Sequence, residues 1–478
     1  MLFKQTIISL AVAGLIASSA LAEEQVSTLD EQKNLAVTIY NTNLALVKDT
    51  RDVSLQKGLN LLAFKDVSAM IRPETALLRN LSHSKGFSIL EQNFDFDLLT
   101  PQKLLEKYVG KQVTIIKTHP TTGEETAEQA TVLATNNGVV LRFKDRIETG
   151  LPGRIAFDAI PQNLRDRPTL VMQMTSGRND RQTLELSYLT SGLSWKADYV
   201  AEIDKDDTKL DLAGWVTLTN QSGTSYNNAQ LQLVAGDVNR VREEFKAMGR
   251  AKMDVAMAEA PRPQMSEESL FEYHLYTLGR KTTIAQNQTK QVSLLTAQQV
   301  PIVKELVLMG NNYYYMNSVG DIGQKMKVGA YIHFDNEKKH NLGLALPKGI
   351  VRVYKKDKSG NAQFIGEDRI DHTPDKETIR LKLGDSFDVT ADKKQTEFKK
   401  VSGFSPYSYV YTATFKITLK NAKKEKQQVT VREPIPGDWD MLEETHKHDK
   451  VTAHTAEWKI TIPPKDKVEL VYKVRVKY

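Results

Sequence analysis

The clearest alternation of apolar and polar residues along the chain lies within residues 184–238. It predicts strands separated by turns rich in Ser, Gly, Asp and Asn, and the strands cover residues 184–190, 195–203, 210–219 and 229–234. Consecutive strands joined by short turns favour an antiparallel meander. Aromatic side chains lie in or beside these strands, where one face of the sheet must be buried. The segment therefore predicts the core of a β-sandwich.

Before this meander, alternation at residues 35–55 and 59–71 predicts a hairpin around Lys57 and Gly58, followed by strands at 76–81 and 87–94. A helical signal interrupts the β pattern. Thr100 is a helix N-cap residue, Pro101 suits the first helical position, and Gly110 suits the residue that closes the helix. Short strands follow at residues 112–117, 129–134, 139–143 and 154–157. Short strands at this spacing predict a small SH3-like or Sm-like barrel inserted into a larger domain.

After the meander the composition changes. Residues 240–269 are rich in Ala, Met and charge and contain Pro261 and Pro263, which predicts a mobile excursion. Alternation returns at residue 270 and continues to the C-terminus, where long strands are predicted at 409–419, 427–434, 457–462 and 468–476. No long helical periodicity is present.

The predicted fold class is all-β: tandem antiparallel β-sandwich domains, a small inserted SH3-like barrel and one short helix. The predicted boundaries are a signal peptide at 1–22, an N-terminal β region at 23–97, the inserted barrel at 98–161, a meander completing the N-terminal domain at 162–239, the excursion at 240–269 and a C-terminal β-sandwich domain at 270–478.

Residues 1–22 have the pattern of a cleavable secretory signal. Lys4 gives a positive start, an apolar stretch follows, and Ala20 and Ala22 supply the small-residue cleavage motif. This pattern predicts export to the periplasm. The chain has no cysteine, so neither a lipid-modified cysteine nor a disulfide is expected.

The formal net charge of +6 is mild, and charges of both signs are interspersed along the chain. A nucleic-acid groove would need clustered Lys and Arg with stacking aromatics, so no nucleic-acid partner is predicted. No later segment has the roughly 20 apolar residues of a transmembrane helix.

Catalytic motifs are absent from the sequence: it has no cysteine nucleophile, no G-x-S-x-G elbow, no phosphate-binding glycine loop and no H-E-x-x-H pair. No enzymatic activity and no cofactor are predicted. The candidate metal ligands are His446, His448 and His454. If residues 443–448 form a strand, His446 and His448 share a face, and a turn after them brings His454 across from them. Zinc requires three or four such ligands, so these three histidines are enough to form a zinc site.

Several motifs in a fixed order carry a family resemblance: SYLTSGLSWKADYVAEI, GWVTLTNQSGTSYNNAQLQLVAGDV, REPIPGDWDMLEET and AEWKITIPPKDKVELVYKVRV. The chain resembles, over roughly residues 183–478, the bacterial domain-of-unknown-function family whose C-terminal β region is shared with mucoidy-inhibitor-A-like proteins. The resemblance implies an exported β-rich architecture and brings no catalytic residues. Mucoidy-inhibitor-A-like members also carry a coiled-coil segment, and this sequence has no sustained heptads.

The predicted function is therefore that of a non-enzymatic, envelope-associated binding or scaffolding protein whose partner is an envelope protein or a cell-wall or lipid component. Two alternatives remain open at this stage. One is a hydrolase or metal-dependent periplasmic enzyme. The other is an outer-membrane β-barrel, since the chain ends in VELVYKVRVKY, an alternating strand with a terminal aromatic residue.

Overall fold

The computed structural model describes residues 23–41, 43–95, 97–161, 164–236, 265–401, 407 and 409–478. The predicted signal peptide at 1–22 and most of the predicted excursion at 240–269 lie outside these residues. The described residues are dominated by strands, and the all-β prediction is confirmed. No helix in the described part of the chain has the length and apolar content needed to cross a bilayer.

The chain divides into two compact units. Unit 1 comprises the residues up to Val37, together with Ala45–Gly192 and Gln221–Ala229, and unit 2 comprises Thr38–Leu44, Leu193–Asn220 and Gln230–Tyr478. The division falls within three strands, β2 (Gln32–Tyr40), β3 (Leu44–Leu55) and β16 (Tyr226–Ala235).

Unit 1 contains a four-stranded sheet and a three-stranded group. The strands are β1 Glu24–Ser27, β3 Leu44–Leu55, β4 Gly58–Lys65, β5 Leu77–Asn80, β6 Ser88–Asp95, β12 Thr169–Ser176 and β13 Asp180–Thr190. Their orders are β1-β4-β12-β6 and β3-β13-β5. The hairpin predicted around Lys57 and Gly58 is not formed, because β3 pairs with β13 while β4 pairs with β1 and β12. Local alternation identifies strands but carries no information about such long-range pairing.

The inserted segment begins with the predicted helix, α1 (Pro101–Lys107), and Thr100 caps it by accepting a hydrogen bond from the Lys103 N–H at 3.1 Å. Five strands follow: β7 Gln112–Thr118, β8 Glu125–Ala134, β9 Val140–Arg142, β10 Ile147–Thr149 and β11 Arg154–Ala156. Their order is β10-β9-β8-β7-β11. Leu105 and Tyr108 pack with strand residues in a separate small core. The predicted SH3-like barrel is not formed: the described strands make an open sheet with two short edges, β10 and β11.

Unit 2 begins with a five-stranded sheet and a neighbouring hairpin. The strands are β14 Leu193–Ile203, β15 Lys209–Asn220, β17 Met265–Leu270, β18 Tyr273–Leu278, β19 Thr282–Ile284, β20 Gln288–Pro301, β23 Gly349–Lys356 and β24 Ala362–Ile370. The sheet has the order β20-β15-β14-β23-β24, with β14 and β23 parallel.

Two predictions need correction. Of the four meander strands only β14 and β15 pair as neighbours, and both belong to unit 2. The last residues of the predicted excursion form β17, which pairs with β18.

The C-terminal part of unit 2 is a nine-stranded sheet. Its strands are β21 Val303–Met309, β22 Asp321–Asp335, β25 Thr378–Val401, β26 Val410–Asn421, β27 Gln427–Pro434, β28 Asp438–Glu444, β29 Asp449–Thr452, β30 Thr455–Ile462 and β31 Lys467–Lys477. The order is β28-β31-β26-β25-β22-β21-β27-β30-β29. The Trp458 ring of β30 stacks on the Tyr472 ring of β31 with centroids 4.7 Å apart, although these strands lie in opposite halves of the order. The sheet therefore folds over one shared core, which is consistent with the predicted sandwich-like architecture.

Candidate functional site

The core-facing side of the nine-stranded sheet continues past the core as a row of aromatic rings. Tyr409 and Tyr411 lie on the same face of the chain as the buried Phe415, because successive side chains of a strand alternate between faces. Tyr478 lies opposite Tyr409, joined to it by two backbone hydrogen bonds of 2.8 and 3.3 Å. The buried face of β26 thus continues into Tyr411, which is half-buried, and Tyr409, which is exposed.

Three of these rings are close to parallel. The Tyr411 ring lies 5.3 Å from the Phe398 ring at 26° and 6.4 Å from the Tyr409 ring at 3°. The Tyr478 ring meets the Tyr411 ring edge-on, at 6.0 Å and 67°. Tyr409 is 51% exposed, while the other three are half-buried. The row is therefore anchored in the core and open to solvent at its outer ring.

A cleft of about 230 Å³ reaches the last strand at Gly437, beside Tyr478. Its lining residues come from the end of β27, the loop that follows it and two neighbouring turns: Asn312, Pro434, Ile435, Pro436, Gly437 and His454. Apolar clefts with a few polar groups are the usual form of ligand sites in proteins.

Gly437 joins the cleft to the aromatic row. Its φ of +70° is a conformation that favours glycine. A Cβ atom at this position would lie 2.4 Å from the Lys477 carbonyl oxygen and 3.3 Å from Cδ1 of Tyr478. Only glycine lets the loop approach the last strand this closely. We call the surface formed by Phe398, Tyr409, Tyr411, Tyr478 and the cleft the aromatic end.

Charged groups at the rim of the aromatic end contact one another or a tyrosine. The Tyr407 hydroxyl donates to Asp438 at 2.9 Å, which lowers the pKa of Asp438 and raises that of Tyr407. Lys477 lies 2.8 Å from Asp440, and this contact raises the pKa of the lysine. Lys400 lies over the Tyr409 ring, with Nζ 4.8 Å from the centroid.

The Tyr478 hydroxyl is a further unusual feature of this surface. Its oxygen is buried, and it has no hydrogen-bond partner among the described residues. Burial also raises the pKa of this hydroxyl, so it keeps its proton at neutral pH.

The three predicted metal ligands have separate hydrogen-bond partners. His448 is bonded through Nδ1 to Glu444 at 2.9 Å, and His446 through Nδ1 to the Thr445 hydroxyl at 3.1 Å. His454 lines the cleft, with Nδ1 3.1 Å from the Gly437 carbonyl oxygen. Within the described ranges, no group of three or more His, Asp or Glu side chains is placed to hold a metal ion.

The strand assumed for residues 443–448 is not formed. β28 ends at Glu444, and the chain bends at Thr445 and His446. One Glu444 oxygen accepts hydrogen bonds from the His448 backbone N–H at 3.1 Å and from the Trp458 indole N–H at 3.0 Å. These bonds stabilise a turn instead of an extended strand. Metal binding by His446, His448 and His454 stays a prediction, which metal analysis of the purified chain would test.

Sequence reasoning did not identify the aromatic end. Two signals for it were present: Tyr407, Tyr409 and Tyr411 at every second position, and the Pro-Ile-Pro-Gly run before Asp438. Alternating tyrosines also occur in ordinary buried strands, so the pattern by itself does not show which rings reach the surface.

Fold and site together define a β-sandwich protein with a surface aromatic site in its C-terminal domain. Residues 184–478 match the family described as a domain of unknown function, DUF4139. The match covers well over half of the chain, which therefore belongs to this family. The comparison with curated proteins returned no match.

Proposed function

We propose that this protein is an exported, non-enzymatic binding protein of the cell envelope, located in the periplasm, and that the aromatic end is its ligand-binding surface. Export is supported by the signal pattern of residues 1–22. A non-enzymatic role is supported by the lack of a catalytic motif in the sequence. The proposal also includes the link between the C-terminal β region and mucoidy-inhibitor-A-like proteins, supported by the order of the shared motifs.

One observation carries the binding proposal: a row of near-parallel rings, anchored in the core, ends beside a cleft in a Tyr409 ring that is open to solvent. Rigid aromatic side chains supply a large contact area at a low cost in conformational entropy. Since Asp438, Asp440 and Lys477 already have partners, the Tyr409 ring offers exposed apolar contact area on this surface.

The ligand that fits best is a chain whose units have flat, weakly polar faces. Sugar rings of a cell-wall glycan have such faces, which pack against tyrosine rings, and their hydroxyls suit the charged rim around Asp438 and Lys477. An exported protein meets such a polymer in the periplasm. We therefore favour a cell-wall glycan over a protein partner.

Co-sedimentation of the purified protein with insoluble cell wall tests this proposal. We expect the wild type to sediment with the wall and the Tyr409→Ala variant to bind about tenfold more weakly, a difference of about 1.4 kcal/mol. Phe387→Ala is a matched control, because Phe387 is a 96% exposed aromatic residue of the same domain outside the aromatic end. Equal sedimentation of wild type and Tyr409→Ala would contradict the assignment of the site.

Photo-cross-linking in cells separates the two kinds of ligand. A photoreactive residue at position 409 should give an adduct with cell-wall material, whereas the same residue at position 387 should not. A single protein adduct formed only from position 409 would retain the aromatic end as the site and replace the glycan with a protein partner.

A further inference from the structure

The core of the nine-stranded sheet holds a lysine and a glutamate in direct contact. Lys393 Nζ lies 2.6 Å and 2.7 Å from the two carboxylate oxygens of Glu433, and the side chains are only 1% and 0% exposed. Lys393 is on β25 and Glu433 on β27, and β22 and β21 separate these strands in the sheet. The contact therefore joins the two layers of the sandwich.

Aromatic rings and a glycine enclose this pair. The Lys393 Nζ atom is 4.6 Å from the centroid of Tyr314 and 5.1 Å from that of Phe415. Gly310 packs so closely on the carboxylate that a Cβ atom there would lie 2.0 Å from Glu433 Oε2. The surroundings thus exclude bulk water from both groups.

Burial of this kind changes the state of the lysine. It lowers the pKa of Lys393, since the charged ammonium loses its hydration. A neutral amine is a nucleophile, and apolar pockets activate lysine in this way.

A tyrosine pair supplies a proton donor at the carboxyl group. The Tyr315 hydroxyl donates to Glu433 Oε2 at 2.8 Å and lies 2.9 Å from the Tyr472 hydroxyl. Burial raises the pKa of Tyr315, so its hydroxyl keeps its proton and remains a donor. A hydrogen bond to a carboxyl oxygen stabilises the negative charge that develops there when a nucleophile attacks the carbon.

We propose that Lys393 and Glu433 form an intramolecular amide bond that links the two layers of the C-terminal sandwich. One proton of the Lys393 ammonium moves to the carboxylate, and the neutral Nζ then attacks Cδ of Glu433. The carboxyl hydroxyl leaves with a second Nζ proton as water, and the Nζ–Cδ bond remains as a neutral amide. The reaction needs no oxidant and no co-reactant.

Two physical effects favour the bond. Holding the reacting groups together replaces an encounter in solution, and well-oriented intramolecular reactions reach effective concentrations of about 10⁵ M or more. The amide also replaces two buried charges whose removal from water is costly. In a chain without cysteine, such a bond supplies the covalent link that a disulfide would otherwise provide.

The mass of the purified, exported protein tests the proposal. We expect the wild type to be lighter than its mature sequence by one water molecule. Trypsin should release a branched peptide that joins residues 383–394 to residues 433–447. Linear peptides should instead cover Lys416 and Glu469, an ion pair on neighbouring strands that is partly exposed to solvent.

Lys393→Met is the matched variant, and its mass should equal the sequence mass. The wild-type peptide map provides the decisive result even if this variant does not fold. Recovery of wild-type Lys393 and Glu433 in linear peptides, with an intact mass that matches the sequence, would overturn the proposal.

Discussion

Arg51 is a fully buried charged residue of unit 1. Its guanidinium donates to Asp49 at 3.1 and 2.7 Å and to the carbonyl oxygens of Ser27 and Lys65 at 2.9 and 2.8 Å. It also lies 3.8 Å from the centroid of the Phe64 ring. A buried charge is tolerated only when its hydrogen-bonding groups are satisfied, and here one side chain satisfies partners from three strands.

Replacing Arg51 should therefore destabilise unit 1 strongly. We expect Arg51→Met to lower the free energy of unfolding by about 3–5 kcal/mol, because it leaves Asp49 buried without its cation. Urea unfolding measures this change. Arg178→Met is the control: Arg178 is 58% exposed at its ion pair with Asp180, and its loss should cost less than about 1 kcal/mol. Equal effects of the two substitutions would contradict this account of Arg51.

At the scale of elements, the β17–β18 hairpin contains a strained turn. Phe271 follows the last residue of β17, has φ of +59° and is 83% exposed. Positive φ is costly for a bulky side chain, and two-residue hairpin turns favour glycine at the first central position. The ring of Phe271 lies 6.5 Å from that of Tyr273 and is otherwise largely in solvent.

Phe271→Gly should stabilise this hairpin. We expect a gain of about 1 kcal/mol in the free energy of unfolding, because glycine adopts positive φ without strain. Phe271→Ala removes the same ring but keeps a Cβ atom, so it should give no such gain. Hydrogen exchange of the β17 and β18 amides checks the effect locally. A stability that falls in both variants would show that the exposed ring contributes more than the strain costs.

The cap of α1 gives a second prediction for a single element. Thr100→Ala removes the oxygen that accepts the Lys103 N–H, and it should cost about 1 kcal/mol in the stability of the inserted segment. Thr100→Ser keeps the hydroxyl and should retain most of that stability. Hydrogen exchange of the α1 amides, compared between the two variants, measures the difference.

For the molecule as a whole, the two ends of the inserted segment are held together by backbone hydrogen bonds. The Leu99 N–H donates to the Arg165 carbonyl at 2.7 Å, and the Arg165 N–H donates to the Asp97 carbonyl at 3.0 Å. The segment between them has its own small core. A segment whose ends are held together and whose core is separate is a good candidate for excision.

Replacing residues 100–163 by a short Gly-Ser link should therefore leave the rest of the chain folded. We expect cooperative thermal unfolding and unchanged binding at the aromatic end, which lies in unit 2. Circular dichroism and cell-wall co-sedimentation measure these two properties. Loss of soluble protein on excision would show that the inserted segment is required for folding.

The all-β class, most strand positions, α1 with its Thr100 cap and the family follow from the amino-acid sequence alone, because these depend on local periodicity, capping chemistry and ordered motifs. The pairing of the strands is known only from the folded structure. β14 and β15 belong to unit 2, β3 and β4 form no hairpin, and the small module is an open sheet, since pairing between distant strands leaves no local trace.

The aromatic end and the buried Lys393–Glu433 pair likewise depend on contacts between distant parts of the chain. Nothing near Lys393 in the sequence points to Glu433, which lies 40 positions away. The alternation of Tyr409 and Tyr411 fits a buried strand as well as a solvent-exposed strand. Their environments depend on how far the second layer of the sandwich extends over the first. The sequence does not show this, because the burial of a side chain depends on contacts between strands and not only on the residues of its own strand.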